Sequence, residues 1–264
     1  MAINVCLFYL WKNYLKQNIK QMNRELHAWH SPSLNKTMEI AVYGHFGTPL
    51  LMLPTAAADY LEYERFLLID AIKPLIESGK FKAFSINSIN SESWLNSKMH
   101  PRHKSIRHVQ FNDYVYNEVV PFIKSQTSED SKITITGASL GALHSANLFF
   151  KRPDLISGVI AMSGDYDLTS YTDGYYDDDV YFNSPMSYMP GLSDEAYLSR
   201  LRNNPHIHIY TGSGNYETPD ASRKFAAALE EKGIAVDLDV WGYDMGHDWP
   251  TWRAMLPYVL ETKY

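Results

Sequence analysis

The chain of 264 residues has a single cysteine, Cys6. No intrachain disulfide can form and no cysteine-based metal centre is available. The expectation is a reducing, cytoplasmic setting. Basic charge is also scarce: 24 Lys and Arg against 30 Asp and Glu leave a net charge of −6. That balance argues against nucleic acid as a partner, because affinity for a polyanion rests largely on Lys and Arg. The apolar run from Ile3 to Trp11 is too short to cross a bilayer, which takes about 20 residues, so no transmembrane segment is expected. It also lacks a charged stretch before it and a small-residue cleavage site after it, and reads poorly as a secretory signal. No HExxH pattern occurs among the ten histidines, so the zinc-hydrolase signature is missing. Repeats and low-complexity tracts are absent too. No metal and no organic cofactor is expected.

What is present is a globular composition, 45% hydrophobic and 20% charged, in a chain long enough to bury a large core without staples. Residues 1–21 stand apart: they hold Lys12, Lys16 and Lys20 and no acid. Phe8, Trp11, Leu15 and Ile19 fall at helical spacing beside those lysines. The segment reads as a basic amphipathic helix for a membrane surface or a partner, or as an upstream extension with Met22 as the original start. The domain expectation is an N-terminal extension over 1–21, helical or disordered, and one domain over 22–264.

Short β-like runs alternate with helical segments from residue 37 onward. Strands are expected at Thr37–Tyr43, Leu50–Leu53, Ala83–Ile86, Lys132–Thr136, Gly158–Met162, His206–Tyr210 and Val236–Trp241. Helices are expected at Tyr60–Glu77, Asp113–Lys124, Ala142–Lys151, Asp220–Lys232 and Trp249–Thr262. This order implies an α/β fold with a mostly parallel sheet and helices on both faces. The short loop Gly44–Thr48 suggests an antiparallel hairpin between the first two strands at a sheet edge. Residues Asp165 to Arg200 break the rhythm with a Tyr- and Asp-rich insertion. Such an insertion after a core strand reads as a lid or an acyl-pocket wall, or equally as a solvated loop with no catalytic part. Its Asp177–Asp179 run reads mainly as a solvated acidic loop rather than a cation site.

One pentapeptide carries the chemistry. Gly137-Ala138-Ser139-Leu140-Gly141 follows a β run and precedes a helix-like segment, the context a nucleophile elbow requires. A serine hydroxyl is a weak nucleophile and needs a base. His247, in the loop after the last strand, is the candidate, and Ser139 the nucleophile. His206 and His208 read as structural strand residues, and His144 as a packed helix residue. His100, His103 and His108 lie between strands, where one of them could line a pocket. The acid that orients the base is expected after the penultimate strand, where Glu217 and Asp220 lie. Asp220 reads as a helix-start residue, leaving Glu217, with Asp165 and Asp167 as rivals. Asp244 and Asp248 are too close to His247 in the chain to serve. The oxyanion site needs two backbone N–H donors: Leu140, just after the nucleophile, and Ala56 (Ala57 next) in the small-residue turn after Leu50–Leu53.

These residues resemble the putative-esterase family of α/β hydrolases, which includes feruloyl esterases, S-formylglutathione hydrolase and the mycobacterial mycolyltransferases. The elbow matches Gly137–Gly141, and the histidine loop matches His247-Asp248-Trp249-Pro250-Thr251-Trp252. The resemblance implies a glutamate acid in one branch, as at Glu217, and an aspartate in others. It implies oxyanion donors at Leu140 and Ala56. With Cys6 in the extension, the pocket cysteine associated with S-formylglutathione hydrolase has no counterpart, which disfavours that substrate. The reading is a serine-dependent carboxylic ester hydrolase acting through an acyl-enzyme on a small-molecule or carbohydrate-linked ester. The rivals are acyl transfer to an alcohol, and a non-catalytic binding protein on the same fold. Oligomeric state stays open.

Overall fold

A computed structural model describes residues 22–56 and 58–264. The proposed extension over 1–21 and the alternative donor Ala57 lie outside the described residues. Eight strands form one sheet: β1 (Arg24–Ser31), β2 (Lys36–Tyr43), β3 (Thr48–Leu53), β4 (Phe81–Ile86), β5 (Thr134–Ala138), β6 (Gly158–Met162), β7 (Ile207–Thr211) and β8 (Asp237–Val240). Their order across the sheet is β1-β2-β4-β3-β5-β6-β7-β8. The β1/β2 and β2/β4 pairs are antiparallel. From β4 to β8 every neighbouring pair is parallel.

The helices between the strands are α1 (Glu62–Arg65), α2 (Leu68–Glu77), α3 (Pro101–Tyr114), α4 (Val120–Ser125), α5 (Leu140–Lys151), α6 (Asp178–Tyr181), α7 (Pro185–Tyr188), α8 (Glu195–Arg202), α9 (Pro219–Glu231) and α10 (Trp249–Thr262). A π turn over Val115–Val119 joins α3 to α4. The sheet is buried on both sides. One face packs Phe111, Val119, Phe149 and Phe225 from α3, the π turn, α5 and α9. The other packs Ile69, Ile72, Met255 and Leu256 from α2 and α10. Burial of each such side chain contributes about 1.5–3 kcal/mol before entropy is subtracted, so the two layers dominate the fold's stability.

Three expectations need correction. The hairpin between Met38–Tyr43 and Leu50–Leu53 does not exist. β2 pairs with β1 and β4, while β3 lies between β4 and β5. One of the two partners of β2 is β1, a strand that escapes a search for inward apolar alternation. Its apolar Leu26 is 50% exposed, while Glu25 and His27 are half-buried on the opposite face. The single helix expected over Tyr60–Glu77 is two helices, broken where Leu67 adopts φ 62°. Finally, α3 begins at Pro101, twelve residues before the expected start. Its inner face carries Lys104, Ser105, His108 and Asn112, all buried, where a periodic reading looks for apolar side chains.

Candidate active site

The elbow is built by sterics. Ser139 sits at φ 56°, ψ −124° between β5 and α5, a sparsely populated conformation costing of order 1–3 kcal/mol. Its N–H donates to the Met162 carbonyl at 2.9 Å, so β6 holds the strained turn in place. A Cβ at Gly137 would collide with the Gly141 carbonyl, and one at Gly141 would lie 2.6 Å from the Leu53 and Pro54 carbonyl oxygens. Both glycines are therefore required by backbone against backbone, where no flexible side chain can yield. Gly141→Ala is expected to lower the free energy of unfolding by about 3 kcal/mol, read from urea titration. Unchanged stability would show that the elbow can relax.

The chain brings Ser139, His247 and Glu217 together. His247 Nε2 lies 2.9 Å from Ser139 Oγ, and its Nδ1 lies 3.5 Å from Glu217 Oε2. The two loops carrying them are laced backbone to backbone. Gly214 N–H donates to the Met245 carbonyl and His247 N–H to the Asn215 carbonyl, both at 2.9 Å. Gly212 permits this approach, because any Cβ there would strike the Met245 carbonyl. The Glu217 side chain is 1% exposed and the His247 side chain 27% exposed. Thus the acid is sealed while the ring still meets solvent.

Glu217 is also held by partners that sequence reasoning missed. Ser163 Oγ donates to Oε1 at 2.5 Å and Thr211 Oγ1 to Oε2 at 3.0 Å. Trp252 Nε1 in turn donates to Ser163 Oγ at 3.0 Å. Burial raises the Glu217 pKa, but His247, Ser163 and Thr211 outweigh it, and the carboxyl stays below its usual range. The available signal was positional only: Ser163 and Thr211 end neighbouring strands at the same sheet edge.

The other candidates sit elsewhere. Asp165 Oδ1 accepts from Asp167 N–H, and Asp167 Oδ1 from Thr169 N–H and Ser184 Oγ; neither bonds His247. Asp220 is exposed and pairs with Arg223. Asp248 caps α10 through Trp249 N–H. His208 is bonded to Asp237. His108 and His144 are buried between α3 and α5. Asp177 caps α6 through Val180 N–H, and no metal-ligand cluster occurs among the described residues. No helix of the described residues is long and apolar enough to cross a membrane.

Next to the serine in the chain, Leu140 and Leu143 form an apolar cluster with Trp94, Leu168 and Val180, against which Ala56, Tyr171 and Tyr175 pack. The insertion thus meets both expected donor positions. A cavity of about 340 Å³ at His247 is lined by Asn215, Tyr216, Tyr243, Asp244 and Asp248, among others. Tyr216 and Tyr243 are 93% and 89% exposed.

The sheet order and the helices on both of its faces define an α/β hydrolase, and its elbow serine faces a histidine backed by a buried carboxylate. The chain belongs to the family described as Putative esterase, whose profile matches residues 70–262, and it is an enzyme of the carboxylesterase type. The match spans Ser139, Glu217 and His247 and begins after Ala56. Among solved structures it is similar to a ferulic acid esterase at 19% identity, covering 91% of this chain and 97% of that one with a TM-score of 0.71. It is also similar to an S-formylglutathione hydrolase from Agrobacterium tumefaciens, at 14% identity, 94% and 100% coverage and a TM-score of 0.68. A third is MPT51 (FbpC1) of Mycobacterium tuberculosis, at 15% identity, 90% and 97% coverage and a TM-score of 0.62. At these identities the likeness is one of fold. No curated protein matches by sequence.

Proposed function

We propose that residues 22–264 form one catalytic domain that hydrolyses carboxylic esters through an acyl-enzyme on Ser139. The observation that carries this reading is the 2.9 Å approach of His247 Nε2 to Ser139 Oγ, with buried Glu217 behind the ring. In the first half, Ser139 Oγ bonds to the acyl carbon as its proton passes to His247 Nε2. The carbonyl oxygen becomes an oxyanion facing the Leu140 and Ala56 N–H groups. Collapse breaks the bond to the alcohol oxygen, which takes the proton from His247. In the second half a water gives a proton to His247 Nε2 as its oxygen bonds to the acyl carbon; collapse then breaks the bond to Ser139 Oγ, which takes that proton back and frees the acid. Glu217 holds the ring and stabilises its imidazolium form. The solvent-exposed part of His247 favours water over an alcohol as acceptor.

The partly buried Ala56, Tyr171 and Tyr175 packed on the cluster beside Leu140 suit an apolar or aromatic acyl group, whereas the cavity beside His247, with its tyrosines, Asn215 and Asp244, suits a polar alcohol part. A small-molecule or carbohydrate-linked ester fits both. A fluorophosphonate probe tests the nucleophile directly. Wild-type protein should take up one equivalent, and peptide mapping should place it on Ser139. Stoichiometric labelling of any other residue, or no labelling, would overturn the proposal.

A further inference from the structure

Beneath the turn that carries Ala56 lies a buried polar chain that the reaction scheme above does not use. Asn90, 3% exposed, donates from Nδ2 to the Thr55 carbonyl at 3.1 Å, and its Oδ1 meets His144 Nε2 at 2.8 Å. A main-chain carbonyl can only accept, so the amide orientation is fixed by Thr55. Oδ1 therefore faces His144, and His144 Nε2 must carry the proton. Deeper in, Trp94 Nε1, which can only donate, bonds His108 Nδ1, leaving His108 with its proton on Nε2. The His108 and His144 rings lie 4.8 Å apart, and His108 Nε2 and His144 Nδ1 are both buried without a partner. One is a donor and the other an acceptor. Every bond in the set points the same way, from Trp94 toward Thr55.

The end of this chain matters because the Thr55 carbonyl and the Ala56 N–H belong to one peptide group. A hydrogen bond accepted at that carbonyl fixes the plane of the peptide. It also polarises the N–H on the opposite side, since linked hydrogen bonds strengthen one another in a dry interior. The preceding peptide is held as well: Thr55 N–H donates to buried Glu62 at 2.8 Å, and Thr55 Oγ1 bonds the same carboxylate. Burial keeps His144 neutral, with its pKa pushed down to about 4, so its donor role persists across the working range of an esterase.

We propose that Asn90, oriented by His144, is a positioning residue that aims and strengthens the Ala56 N–H as an oxyanion donor. This rests on the acyl-enzyme reading above and adds to it a buried residue that contacts neither substrate nor Ser139. The donor matters only when negative charge develops, so its loss should appear in the transition state and not in ground-state binding.

The test compares Asn90→Ala, His144→Leu and His144→Gln by steady-state hydrolysis of p-nitrophenyl acetate. Affinity for a trifluoromethyl ketone, whose serine adduct carries an oxyanion, is measured alongside. Loss of a whole donor costs about 10²–10³ in kcat, so a misaimed donor should lower kcat by about 10- to 100-fold. KM should stay within about threefold of wild type, and ketone affinity should fall in proportion to kcat. His144→Leu should repeat the loss. His144→Gln, which retains an amide N–H donor toward Asn90, should recover most of it. The His144 pair decides the matter if Asn90→Ala fails to fold. Wild-type kcat in Asn90→Ala or His144→Leu overturns the inference, as does a kcat loss that ketone affinity does not follow. An active Ser139→Ala enzyme would instead overturn the acyl-enzyme reading itself, so the two failures are distinct.

Discussion

Ser139→Ala is expected to lower p-nitrophenyl acetate turnover by five to six orders of magnitude, about the effect of removing the nucleophile from a serine-histidine-acid set. The variant should fold normally. The contact that holds the strained turn is made by the Ser139 N–H to the Met162 carbonyl, and alanine keeps that group. The hydroxyl contributes its bond to His247 Nε2, and since the ring still meets solvent a water can take its place. Thermal unfolding should therefore superimpose on wild type while turnover collapses. Some catalysis should remain, about 10³-fold over water, from the oxyanion donors and binding alone. Activity above 1% of wild type in a folded variant would mean that the attacking group is not Ser139.

How much of this was legible beforehand follows from where each constraint resides. The elbow was legible because its constraint is local. A turn this tight puts Gly137 against Gly141, and Gly141 against the Leu53 and Pro54 carbonyls, so the residue types record the geometry. The mostly parallel character of the sheet was readable from the alternation of apolar runs and amphipathic helices. β1 was not, because the face it turns toward the π turn and α4 carries Glu25, His27 and Trp29 rather than aliphatic side chains: His27 packs on Phe122 of α4, and Trp29 bonds Glu118 of the π turn. The position of β3 between β4 and β5 was lost for the same reason, since a strand without a visible partner is assigned to its neighbour in the chain. Ser163 and Thr211 bond Glu217 across 54 and 6 residues, and Trp252 bonds Ser163 across 89. Only Thr211 lies near enough for spacing to hint at it. Asn90 and His144 belong with these: their types are ordinary for a loop and a helix, and only the fold sets one beneath the other.

These long-range bonds also explain why the acid is rigid. Glu217 is held by two hydroxyls and a histidine within a buried shell. It cannot swing away without breaking its bonds to Ser163 and Thr211, and a buried hydroxyl left unpaired costs about 1–3 kcal/mol. Ser139 is fixed by sterics and Glu217 by polar contacts. His247 sits between two immobile groups on a loop tied to Asn215, which is the preorganisation that proton transfer requires.

The substitution Glu217→Gln should lower kcat by about 10³- to 10⁴-fold, the range found when the acid of such a set is neutralised without change of shape. A glutamine keeps the volume but offers one acceptor oxygen in place of two, while Ser163, Thr211 and the His247 ring all face it. If its oxygen stays with the hydroxyls, its amide faces His247 Nδ1 and favours the tautomer with the proton on Nε2. That proton then occupies the position where the Ser139 proton must go. Asp165→Asn and Asp167→Asn should stay within about threefold of wild type, because neither carboxylate bonds the ring. A loss of 10³-fold in either of them, with Glu217→Gln near normal, would move the acid to that loop. Stability supplies an independent check. The folded pKa of Glu217 lies below the unfolded value of about 4.3. Ionised Glu217 therefore stabilises the fold at pH above that value, and the contribution disappears as pH falls through the lower folded pKa. Urea titrations of wild type and Glu217→Gln should differ most at neutral pH and converge in acid. A difference that stays constant with pH would mean that the carboxylate charge has no role in holding His247, and that Glu217 is only a space-filling part of the loop.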